Sequence, residues 1–332
     1  MKKVFSAVLS LLMLLSVISL AGCGKAETLK FGMGIYSYTE EATNADGDTN
    51  GEGEAIHTVA AVLLNADGKI VKCVIDTADI TVAYTSEGKA VASEEFKTKY
   101  ELGSDYGMVA YGGAAKEWYE QVDAFVSVVE GKTIDEVKAL VADGGKGTED
   151  VITAGCTIGI TDFISALENA VKNATDSDAT ADDTLKLGVV SAAETKDATE
   201  EADGSNEVST TVVAAVLKDS KVVASSTDVV SAEFTFNAKG ESTVAESGAL
   251  TTKKQAGANY SMASYGTDLN GDGTVKEWNE QAAAFDEALK GKTADEISAL
   301  AVDTGYGVES LQTAGCTINV NDMVKAAVKA AK

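Results

Sequence analysis

Arginine and proline are both missing from the 332-residue chain, histidine occurs once, and cysteine four times. Without arginine there is no planar guanidinium fork to clamp a free phosphate or carboxylate in bidentate fashion. A single histidine, His57, means that a Ser-His-Asp or Cys-His pair has only this residue to be built on. Nothing near it in sequence suggests such a pair, and His57 reads as a loop or strand-edge residue. Positive charge is also scarce: 27 basic residues, all lysine, face 52 acidic ones, for a net charge of −25. That excess removes the counterion-release term that drives nucleic-acid binding, and it repels anionic headgroups, so the reading is no nucleic-acid partner. Beyond Cys23 the remaining thiols are Cys73, Cys156 and Cys316, an odd number with no C-x-x-C or Cys/His cluster. Neither a disulfide framework nor a zinc site follows from that spacing.

What is present begins at the N-terminus. Met1-Lys2-Lys3 precedes an uncharged apolar run from Val4 to Gly22, the pattern of an export signal over residues 1–22. Leu20-Ala21-Gly22-Cys23 resembles a bacterial lipobox, which implies cleavage before Cys23, lipidation of that residue, and an extracytoplasmic protein held on a membrane by its lipid. The alternative is an uncleaved membrane-spanning helix, since the run is just long enough to cross a bilayer.

The body of the chain repeats itself. "TLKFG" at 28–32 matches "TLKLG" at 184–188, and "VAAVL" at 59–63 recurs at 213–217. "KEWYEQVDAF" at 116–125 matches "KEWNEQAAAF" at 276–285, "GKTIDEVKAL" at 131–140 matches "GKTADEISAL" at 291–300, and "TAGCTI" stands at both 153–158 and 313–318. The anchors keep their order, so the expectation is two tandem domains, 23–172 and 184–332, joined by a flexible acidic linker at 173–183. Each opens with strand material: the β-branched runs around Asn65-Ala66-Asp67-Gly68 predict a hairpin, and "STTVVAAVLKDSKVVASSTDV" occupies the same place later. Trp118, Val122, Phe125 and Val129 recur at helical spacing before Gly131, Thr133 with Glu136 and Thr293 with Glu296 form capping boxes, and Thr161-Asp162 or Asn321-Asp322 offer caps for a closing helix. The fold class is therefore α+β, two copies of an antiparallel sheet with packed helices.

Two features carry chemistry. Ala-Gly-Cys-Thr ahead of a closing helix, on an exported chain with antiparallel hairpins, resembles the FMN-binding domains of the sodium-pumping quinone reductase subunit type and of surface lipoproteins that carry flavin for extracellular electron transfer. In that family a Ser-Gly-Ala-Thr motif presents its threonine to a flavin transferase, which attaches FMN through a phosphoester. Laid on this sequence, the motif falls on Ala154-Gly155-Cys156-Thr157 and Ala314-Gly315-Cys316-Thr317, with Ala for the family's Ser and Cys for its Ala. The resemblance implies Thr157 and Thr317 as acceptors of covalent FMN, Gly155 and Gly315 as the turn, Cys156 and Cys316 beside it, and a flavin transferase and redox proteins as partners. The family's upstream Asp falls on Val151 and Leu311. Read from the residues alone, the repeated word is a structural turn with a packed cysteine, the commoner case, or one of a pair of redox-active thiols, though each word lacks a resolving partner.

The second feature is "DLNGDGTVKEWN" at 268–279, which follows a calcium-loop template. Asp268, Asn270 and Asp272 supply side-chain oxygens, Thr274 a backbone oxygen, and Asn279 stands at the twelfth position, which usually holds Glu, so any Ca2+ would bind weakly. The function expected is a membrane-anchored flavin carrier rather than an enzyme. The alternative is a non-redox binding or structural lipoprotein on the same duplicated fold.

Overall fold

The computed structural model describes residues 27–91, 95–243, 247–265, 275–302 and 304–332. Nine strands form two antiparallel sheets among these residues. The first sheet contains β1 (Lys30–Thr39), β2 (Gly51–Leu64), β3 (Ile70–Tyr84), β4 (Ala90–Val91) and β5 (Thr175–Asp176) in the order β4-β3-β2-β1-β5. The second contains β6 (Thr184–Lys196), β7 (Gly204–Lys218) and β8 (Lys221–Phe236) in sequence order, while the short β9 (Gly248–Ala249) crosses over to pair with β1. The predicted hairpin forms: Gly68 N–H bonds back to Asn65 O, and Asn65 Oδ1 accepts from Asp67 and Lys69 N–H. The β7–β8 hairpin turns instead on Asp219 and Ser220, both at positive φ, the geometry of a two-residue primed turn.

Between β4 and β5 come α1 (Lys99–Leu102), α2 (Trp118–Val129), α3 (Ile134–Lys138), α4 (Glu149–Ala154) and α5 (Thr161–Lys172). After the second sheet come α6 (Lys253–Ala256), α7 (Met262–Tyr265), α8 (Trp278–Leu289), α9 (Ala294–Ser298), α10 (Glu309–Thr313) and α11 (Asn321–Ala330). Both Thr–Glu capping boxes are present, at Thr133/Glu136 and Thr293/Glu296. Trp118, Val122, Phe125 and Val129 are all buried along α2. The closing helices start one residue earlier than their expected caps: Ile160 and Val320 hold the cap positions, with no side-chain bond.

Strand alternation assigns the layers. On β2, Val59, Ala61 and Leu63 face the second sheet, while Ala60, Val62 and Leu64 face the helices of the first half. On β7, Val212, Ala214 and Val216 meet the first sheet, and Val213, Ala215 and Leu217 meet the later helices. Both strands read as nearly continuous apolar runs because both their faces are buried. The order is helices, sheet, sheet, helices, with one core shared between the sheets. Contacts across it are reciprocal. Ala198 N–H donates to Gly88 O and Ala45 N–H to Gly240 O, both at 2.8 Å, and Tyr84 stacks on Phe236 with centroids 4.4 Å apart.

This arrangement changes the picture of two domains on a flexible linker. Segment 173–183 is pinned: β5 pairs with β1, Ala179 is fully buried, and its carbonyl accepts from Leu29 N–H at 2.8 Å. Its acidic letters report an exposed edge, not a free tether. His57 is likewise no edge residue. It lies fully buried in the middle of β2, pointing between the sheets, with Nδ1 bonded to Ser37 Oγ and Nε2 without a partner. Burial pushes its pKa down to about 4.

The register also corrects the strand anchors. Lys30 pairs with Leu64 and Thr184 with Leu217, and the bulges fall at Leu63/Leu64 and Val216/Leu217. Leu64 therefore corresponds to Leu217, and Ala60 rather than Val59 to Val213. Identical "VAAVL" words thus sit one residue out of phase, with opposite faces to the same core. Gly34, not Gly32, matches Gly188: a Cβ on Gly34 would come 2.2 Å from Ala170 N, and one on Gly188 1.9 Å from Ala326 O, where α5 and α11 lie directly on the strand.

Candidate functional site

Each "TAGCTI" word closes a short helix. Gly155 at φ +113° and Gly315 at φ +101° take the left-handed conformation that ends α4 and α10. Cys156 and Cys316 N–H then reach back to Val151 O and Leu311 O at 3.1 Å, satisfying carbonyls the helix would leave open. Each glycine also admits a lysine. A Cβ there would lie 2.2 Å from Lys116 Nζ or 2.0 Å from Lys276 Nζ, so the ammonium crosses directly over the turn.

The next residue is held from α2 or α8. Thr157 N–H and Oγ1 both donate to Gln121 Oε1 at 2.9 Å, while Gln121 Nε2 donates to Lys116 O at 3.1 Å. Thr317 repeats this on Gln281, at 2.8 Å from N–H and 3.0 Å from Oγ1, with Gln281 Nε2 donating to Lys276 O at 2.9 Å. Both glutamines are buried. Glu117 and Glu277 cap their helices and accept from two backbone N–H groups of the preceding segment, Met108 and Val109 or, at the start of α7, Met262 and Ala263. No motif in the sequence marks these polar residues, but their signal is there: Lys, Glu and Gln are among the letters kept between "KEWYEQ" and "KEWNEQ".

The threonines differ in what lies beside them. Thr317 lines a cavity of about 620 Å3 enclosed by β6, β7, α8 and the start of α11. Trp278, Met262 and Met323 are in its apolar part, and Glu194, Glu207, Asp322, Lys253 and Lys325 make much of the rest charged. Lys253 Nζ stands 5.3 Å from the Tyr260 ring centre and 5.9 Å from that of Trp278. Asp322 is engaged by Lys325 Nζ at 2.8 Å. A volume of this order suits a small-molecule or cofactor site, roughly 300–1,000 Å3 in general. An isoalloxazine ring is planar and aromatic, and Trp278, Met262 and Met323 supply apolar atoms beside the threonine hydroxyl, in a lining that is otherwise largely polar. In the first half a side chain reaches across the corresponding place. Tyr38 projects there from β1, its hydroxyl donating to Asp162 Oδ2 at 3.3 Å, and Phe163 packs edge-on against Trp118 at 5.9 Å.

Cys156 and Cys316 are fully buried in separate helix-side cores, so no disulfide bridges them. Burial raises both thiols, Cys316 to about 12, the reverse of an activated thiolate. Of the calcium-loop residues, Asp268, Asn270, Asp272 and Thr274 lie outside the described residues. Asn279 is the second residue of α8, its Oδ1 buried and without a partner. Among the described residues no helix is long and apolar enough to cross a membrane, and no group of three or more His, Cys, Asp or Glu side chains is placed to hold a metal. Cys23 lies outside the described residues. Compared with known protein families, curated proteins and solved structures, the chain has no match.

Proposed function

We propose that this chain is an extracytoplasmic lipoprotein, anchored by lipid on Cys23, in which two copies of one FMN-binding-like unit form a single body that carries flavin for electron transfer. The observation that carries the reading is the cavity of about 620 Å3 with Thr317 in its wall. A flavin linked through phosphate to Thr317 Oγ1 would place its ring against Trp278 without needing the arginine clamp the chain lacks. Duplication is supported by the repeated Gln–Thr geometry, by the repeated capping boxes and by the reciprocal contacts across the sheets, which are what two copies of one self-complementary face would make. The partners that follow are a flavin transferase and redox proteins of the cell surface, with Ca2+ held by Asp268, Asn270, Asp272, Thr274 and Asn279 as a weak stabiliser of the loop before α8.

A second reading, a binding lipoprotein without covalent flavin, is favoured by one observation. Val151 and Leu311, where the resembled family has its Asp, are fully buried in the core and have no room for a carboxylate. Co-expression with a flavin transferase separates the two readings. Visible flavin absorbance that survives denaturation and is lost in the Thr157→Val, Thr317→Val double variant supports the first; colourless protein of unmodified mass supports the second.

A further inference from the structure

Three of the positions that differ between the halves bear most directly on the cavity of the second. Tyr38 is the cross-strand neighbour of Ile56, whereas the matching pair on the second sheet is Ala192 and Ser209. At the third residue of the closing helix, Phe163 corresponds to Met323. Ala192, Ser209 and Met323 all line the cavity. Asp162, which takes the Tyr38 hydroxyl, corresponds to Asp322, which lines the cavity and takes Lys325 instead. The Tyr38 ring therefore runs from strand to helix through the space that stands open in the second half.

We infer that the chain binds one planar heteroaromatic ligand of the isoalloxazine class, in the second half alone, and that Tyr38 is a built-in occupant that closes the first. The ligand class rests on the flavin reading above; the single occupancy and the role of Tyr38 rest on the geometry just given. Both threonines keep their glutamine bond, so it is the filling beside them that selects.

Riboflavin, uncharged and without the phosphate, tests this without any transferase. Equilibrium dialysis with the full chain should give one riboflavin per wild-type chain, its fluorescence quenched by Trp278. Ala192→Tyr, which transplants the occupant, should abolish uptake. Ser209→Ile, closing the cleft from the other strand, should do the same, and an unchanged melting transition in either variant assigns the loss to the cleft. Tyr38→Ala combined with Ile56→Ser should raise the stoichiometry to two. Two riboflavins on the wild type, retention of binding by folded Ala192→Tyr and Ser209→Ile, or a stoichiometry still at one in the opened variant would each overturn the inference. Wild type that takes up no riboflavin also overturns it, even where a transferase loads Thr317. One riboflavin bound by a chain whose mass the transferase leaves unchanged sinks the covalent reading alone.

Discussion

In the first half, Tyr38 reaches from the sheet to the last helix beside Ile56 and Phe163; in the second, the matching Ala192, Ser209 and Met323 line a cavity of about 620 Å3. Around that space the polar frame is the same: a buried glutamine holding a threonine, a glutamate clamping a loop, a lysine over a left-handed glycine. A repeated frame is therefore not by itself a repeated site. The frame fixes the fold of the turn, and the side chains on β1, β2 and the closing helix decide whether anything can sit beside it.

The comparison breaks most completely if the halves are parted. Because the sheets share one core, residues 23–172 alone would expose Phe31, Val59, Ile80 and their neighbours to water. The expected product associates through that face into a dimer or melts without cooperativity. A monomeric fragment with a sharp melting transition, checked by light scattering and calorimetry, would contradict the shared core.

The next effect uses His57, an ionisable residue in the inter-sheet core whose counterpart cannot be charged. His57 and Ser37 occupy the place held by Thr210 and Ser191 in the second half. The folded pKa of His57, near 4, lies below its ordinary 6.5, so its neutral form supports folding fully above about pH 6.5, and that support is lost as pH falls toward 4. Between those limits the wild type should lose about 3 kcal/mol relative to His57→Thr. Glu54, raised to about 7 by a hydrogen bond shared with Asp79, and Asp76, raised to about 6 by burial, act in the opposite sense and are common to both proteins. Denaturant titrations of the pair at pH 7 and pH 4 read the difference; parallel curves would mean His57 is solvated.

Smaller again is the cost of the glutamines. Gln121→Leu and Gln281→Leu each remove the acceptor of two threonine hydrogen bonds, and each should cost about 1–2 kcal/mol. Equal losses of stability with loss of riboflavin in Gln281→Leu only would sharpen the distinction between frame and site; loss of riboflavin in both would erase it. The smallest effect is calcium's. At about five times its dissociation constant it should add about 1 kcal/mol to the wild type and nothing to Asp268→Ala with Asp272→Ala. An equal response in both would make the loop a plain turn.

Legibility in the sequence followed the helices. Helix ends are written in local letters, so Thr133/Glu136, Thr293/Glu296 and the matched "KEW" and "TAGCTI" words locate elements and mark residues that turn out to be equivalent. Strands carry only a two-residue period, and β2 and β7 are apolar on both faces, so the "VAAVL" match could slide by one residue with no visible penalty. The sheet-to-sheet core was hidden for the same reason: an unbroken apolar run does not say what covers its second face. The charges of segment 173–183 suggest a tether, whereas its place is set by the backbone pairing of β5 and the burial of one small residue, Ala179. The cavity was illegible because it is made by small residues, Ala192 and Ser209, whose meaning appears only opposite Tyr38 and Ile56.

The reading of two halves on one frame with a single open site meets its sharpest test in intact mass after co-expression with a flavin transferase. It predicts one FMN per chain, kept in Thr157→Val and lost in Thr317→Val. Two FMN units on the wild type, or one that persists in Thr317→Val, would contradict it.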